Sequence, residues 1–180
     1  MIKLYSECIG SKIFSFRDGE LLGVLQDIIV DPNNGRIAGL LVLVKISSGI
    51  KKMAIIDVDI LEWRNQIVVQ DEDSFAEINE VVRLQKILDE KVFILNQPVY
   101  TISGEYIGHV RNYFIDVNNL IMIKILIRKT EWLFFCRTER IVTSDKIIKI
   151  EKDRIIIEDN YAKKKVLIKD KIPCSNAVPA

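Results

Sequence analysis

Apolar residues recur along this chain in short runs cut by turn residues, and one stretch departs from that rhythm. Residues 12–16 alternate, residues 22–30 form a longer apolar segment, and residues 37–44 are continuously apolar. Alternation with period two predicts half-buried strands, and a short apolar run bounded by turns predicts a strand buried on both faces. Residues 51–56 and 66–70 complete a set of five or six short strands, a spacing that favours a small barrel. The punctuation between them is chemical. Arg17-Asp18-Gly19 offers a glycine for a positive φ, Ser47-Ser48-Gly49 closes a hairpin, and Asp31-Pro32-Asn33-Asn34-Gly35 combines a preset φ, side chains that bond nearby amides and a glycine at its end.

The pattern then repeats. Displaced by 85 residues, 19–42 lies on 104–127 without a gap, with seven of the 24 positions identical: Gly19/Gly104, Glu20/Glu105, Gly23/Gly108, Asp31/Asp116, Asn33/Asn118, Asn34/Asn119 and Leu41/Leu126. Ten further positions pair apolar with apolar. Upstream the displacement is 86, and downstream Ile67-Val68-Val69 faces Ile155-Ile156-Ile157 at 88, with Asp71 opposite Asp159. The chain is a tandem duplication, and the paired glycines and Asp31, Pro32, Gly35 and Asp116 are expected to set its turns. The second copy has lost both Pro32 and Gly35, so its turn is expected to rely on Asn119 accepting a positive φ.

The stretch that breaks the rhythm lies between the copies. Ser74 followed by Glu77 has the form of a capping box, and Phe75, Ile78, Val81, Val82 and Leu88 fall within an arc of about 140° at helical spacing. This predicts a packed amphipathic helix over residues 74–90, flanked by units at 1–73 and 91–162 and followed by a frayed, lysine-rich segment at 163–180.

Composition adds two constraints. At 49% hydrophobic and 28% charged, a chain of 180 residues is not disordered. Its net charge of +1 conceals a first half at −5 and a second half at +6, so the halves are expected to attract weakly or to face different partners. No signal-peptide pattern opens the chain and no apolar run approaches bilayer-spanning length, which predicts a cytoplasmic protein with no membrane span. Cys8, Cys136 and Cys174 lack metal-site spacing, and His109 is the sole imidazole. Asp57 and Asp59 would share a face on a strand, but only Asp57 has a counterpart, Asp145, in the second copy, so turn capping accounts for them better than a metal. Nucleotide, acyl-transfer and zinc-hydrolase motifs are absent. No catalytic residue, cofactor or metal is expected.

Ile9-Gly10, Ile13-Phe14, Asp18-Gly19-Glu20, Leu22-Gly23, Asp27, Val30-Asp31-Pro32 and Gly35-Arg36-Ile37 together resemble the PRC-barrel domain. The second copy resembles it through Leu95, Pro98-Val99-Tyr100, Ser103-Gly104-Glu105, Ile107-Gly108-His109-Val110 and Asp116. That resemblance implies a mainly β fold, two tandem small barrels joined by the helix, serving as a protein interaction module without catalysis. The expected partner is another protein. The alternative is RNA or ribosome association through the basic second unit, with Lys163, Lys164, Lys165 and Lys169 as contacts.

Overall fold

The predicted strands form in a computed structural model that describes residues 1–131 and 136–160. The chain opens with β1 (Ile2–Leu4) and a single helical turn, α1 (Tyr5–Cys8). The first unit follows as β2 (Lys12–Ser15), β3 (Leu21–Val30), β4 (Ile37–Ile46), β5 (Gly49–Ile56), β6 (Ile60–Trp63) and β7 (Ile67–Val69). After α2 (Val82–Asp89), the second unit supplies β8 (Pro98–Thr101), β9 (Tyr106–Asp116), β10 (Ile121–Glu131), β11 (Cys136–Thr143), β12 (Ile147–Ile150) and β13 (Ile155–Ile157). Each unit is one sheet, ordered β5-β4-β3-β2-β7-β6 and β11-β10-β9-β8-β13-β12, and β1 adds a seventh strand to the second. The topology is duplicated down to its irregularities. The pairing slips between Leu25 and Asp27 in β3 and at the equivalent place in β9, where Asp27 Oδ1 accepts from its neighbour Ile28 N at 2.8 Å and Asn112 Oδ1 from Tyr113 N at 2.9 Å.

The two units meet about a pseudo-two-fold axis. Ile37 N donates to Leu120 O and Met122 N to Gly35 O, both at 2.8 Å, and Arg36 pairs with Ile121, its own counterpart 85 residues on. Behind this bridge one apolar core draws on both units, from Ile13, Leu25 and Ile37 to Val110, Met122 and Ile125. The join is apolar and backbone-bonded, so the expected attraction of opposite halves is not what holds them. Arg17–Asp71 and Lys51–Glu77 lie in the first half, and Arg128–Glu139 and Lys146–Glu158 in the second; the N-terminal ammonium to Asp116, at 3.1 Å, crosses.

The leader segments are exchanged across that axis. β1 pairs with β9, Ile2 opposite Asp116 and Leu4 opposite Phe114, while α2 packs on β3 and β4 of the first unit. Tyr5 stacks on Tyr113 with centroids 4.8 Å apart and donates its hydroxyl to Asp27 Oδ1 at 2.9 Å, and Asn112 Nδ2 donates to Ser6 Oγ at 2.7 Å. Burial, reinforced by the Asp27 hydrogen bond, holds the Tyr5 phenol above its ordinary pKa, and deeper burial does the same to Tyr113.

Three expectations change. The connecting helix begins at Val82, not Ser74, because the would-be capping residues are bonded elsewhere. Residues 72–74 form a 3-10 turn capped by Asp71, Ala76 exchanges two backbone hydrogen bonds with Ala54, and Glu77 Oε1 accepts from Lys51 Nζ at 2.5 Å. The buried stripe changes with it: Leu84 is fully buried against Ile29, Ala38, Leu41 and Ala54, whereas Val82 is exposed. Finally, the second Asp-Asn-Asn turn places its positive φ at Leu120, at 48°, not at Asn119. Asn119 Nδ2 is held by Asp116 Oδ2 at 2.6 Å as Asn34 is by Asp31, so the left-handed residue falls where the first copy has Gly35, at 71°. Leu120 is kept there by the carbonyl it offers Ile37 and by packing on the shared core.

Candidate functional site

Equivalent outer faces of the two sheets carry different chemistry. In the first unit Phe14 lies opposite Leu21 and Lys12 opposite Val24, with Val44, half-buried against the core, on the adjacent strand opposite Gly23. Phe16 and Leu21 are 69% and 54% exposed, so this hairpin presents apolar side chains to solvent. In the second unit the same lattice positions hold Tyr100 opposite Tyr106 and Pro98 opposite His109, with Lys129 where Val44 stands. The tyrosine centroids are 5.5 Å apart, His109 meets Tyr106 edge-on, and the Tyr106 hydroxyl shares a 2.7 Å hydrogen bond with His109 Nδ1. Lys129 Nζ sits 5.6 Å from the Tyr106 ring centroid and 3.4 Å from its carbonyl. Burial, followed by the neighbouring Tyr100, raises the pKa of the Tyr106 phenol.

Glycines let the neighbouring strand approach closely in both sheets. A Cβ at Gly23 would lie 2.8 Å from Leu43 O, and one at Gly108 would lie 2.6 Å from Arg128 O. These two residues, expected at turns, sit inside β3 and β9. Gly19, Gly35 and Gly104 do occupy turns, at φ 73°, 71° and 87°. Asp31 Oδ1 accepts from Asn33 N at 2.9 Å beside Pro32, and Asp116 Oδ1 from Asn118 N at 3.2 Å. Lys163, Lys164, Lys165 and Lys169 lie outside the described residues.

Two other places were candidates for chemistry. A cavity of about 110 Å³ lies between the units, lined by Tyr5, Asp27, Tyr113 and apolar residues of β3 and 87–95. Its carboxylate is already engaged by Tyr5 and by Ile28 N. Asp57 and Asp59 fall on a 3-10 turn, where Asp57 pairs with Arg83 at 3.4 Å. Among the described residues no group of three His, Cys, Asp or Glu could hold a metal ion, and no helix is long and apolar enough to cross a membrane.

The aromatic and cationic face stands out against its counterpart on the first sheet. Its four residues span 30 positions of sequence on three different strands, so no local window brings them together. A signal was nonetheless present, in repeat positions where an apolar residue in one copy becomes aromatic or charged in the other.

The duplicated sheet, its exchanged leaders and its paired turns define a tandem domain protein. Compared with known families, the chain matches the PRC-barrel domain twice, over residues 2–75 and 94–164, and it belongs to that family. No curated protein was found to match it.

Proposed function

We propose that this protein is a non-enzymatic adaptor whose first unit docks on another protein. The observation that carries this reading is the solvent-facing apolar hairpin formed by β2 and β3. Phe16, Leu21 and Val24 are each at least a third exposed there, although the unit has a complete core without them. Large apolar side chains gathered on one rim mark an interaction surface when they are contiguous. Membership of the PRC-barrel family supports a binding role for the fold.

The test is retention of a discrete partner from the native cell by full-length protein at both low and moderate salt, compared with Phe16→Asp/Leu21→Asp. Because both side chains are exposed, the variant should fold normally and lose at least tenfold of the retained partner. Equal recovery by the variant would sink the assignment to this hairpin.

A further inference from the structure

The second unit's equivalent face supports a different ligand, and this inference goes beyond the adaptor reading. We propose that single-stranded nucleic acid binds across β8, β9 and β10, with bases against Tyr100 and Tyr106 and phosphates at Lys129 and Arg111.

The repeat acts as an internal control. Phe14, Leu21, Val24 and Val44 in the first unit show that this fold needs neither aromatic hydroxyls nor charge at these four places; the first unit's cation on this face is Lys12, where the second has Pro98. The second unit has changed the set together, to Tyr100, Tyr106, His109 and Lys129, and the changes converge in space. Two rings 5.5 Å apart, a histidine at 5.6 Å and a cation over one ring occupy one patch. Purely apolar docking would gain nothing from the added polarity.

The neighbouring charges narrow the ligand further. Arg128 is bound to Glu139, and Lys149 and Arg154 share Glu151, so each of these cations is already engaged by a carboxylate. Among the described residues Lys129 has no carboxylate partner, and Arg111 Nη1 donates to neutral Asn96 Oδ1 at 3.4 Å. An unpaired cation beside aromatic rings, with Arg111 two residues beyond His109 on the same strand, matches a polymer that alternates anionic and planar groups. Rings on a sheet surface accept unpaired bases, whereas bases stacked in a duplex are closed to them.

The experiment is fluorescence anisotropy of the full chain with an end-labelled, mixed-sequence RNA 12-mer, its DNA counterpart and its duplex, at 50 and 200 mM salt. The decisive variant is Tyr106→Leu/His109→Val/Lys129→Val, which installs the first unit's residues at positions where the fold already carries them; its folding is checked by thermal melting. Binding to the single strands should weaken about tenfold or more, the range expected for losing a stacking contact and a phosphate contact. Lys129→Val alone should lower the slope of log affinity against log salt by about 0.7. RNA and DNA arms that differ would identify which backbone is preferred. The proposal fails if wild type does not bind at 50 mM salt, or if a polyglutamate peptide displaces RNA while Tyr106→Leu changes nothing, which indicates an acidic protein ligand. It also fails if the face variant binds like wild type while Lys163→Gln/Lys164→Gln/Lys165→Gln abolishes binding. That last result would retain nucleic-acid association and move it off this face.

Discussion

Gly108 and Gly19 look alike in sequence but are required for different reasons. At Gly19 a Cβ would meet nothing within 4 Å, so Gly19→Ala carries only the penalty of a left-handed φ, about 1–2 kcal/mol. At Gly108 a Cβ would be driven against the Arg128 carbonyl, adding about 1–3 kcal/mol of overpacking to an unfavourable φ of 141°. Urea unfolding of the two alanine variants should therefore rank Gly108→Ala as the more damaging. Tyr5 and Tyr113 make a pH prediction. Both phenols have folded pKa values above the unfolded value of about 10, so their contribution is fully present below that pH and is lost progressively above it, as pH rises toward and through the folded values. The urea midpoint should fall through the alkaline range, and Tyr5→Phe should show a shallower fall. Cys8, fully buried with its thiol pushed up to about 11, should resist alkylation in the native protein, as read by site-resolved mass spectrometry.

At the scale of elements, α2 is held by packing on the first sheet. Leu84 fills the space above Gly39, whose missing Cβ would lie about 3 Å from the Leu84 methyls, so Leu84→Ala should cost about 2–5 kcal/mol. Val82→Ala, on the exposed side of the same helix, should change the unfolding midpoint little. Comparing the two by chemical denaturation checks which face is buried. The long strands β3, β4, β9 and β10 were legible because ten or eleven residues display a pattern and their turns have specific chemistry. By contrast, β1 has three residues and its partner lies more than a hundred positions away, so neither periodicity nor proximity announces it. The start of α2 was misplaced for a related reason. Ser74 and Glu77 carry a valid local signal, and contacts to Ala54 and Lys51 from outside the window override it. The aromatic face was hidden because a sheet surface is assembled from separate strands.

The whole molecule behaves as a fused, symmetric pair. With one core contributed by both units, heating should produce one calorimetric transition whose van't Hoff and calorimetric enthalpies agree, and two resolved transitions would contradict a shared core. Deleting residues 1–4 should raise amide exchange at residues 114–116 while leaving residues 107–110 protected by β8, since β1 covers only the far end of β9. The exchanged leader also imposes an order on biosynthesis. Leu4 waits for Phe114, so at translation rates of about 5–20 residues per second the first strand stays unpaired for roughly 5–20 s after it is made. During that interval the nascent chain presents an open edge, and a neighbouring copy on the same message competes with the chain's own second half to close it.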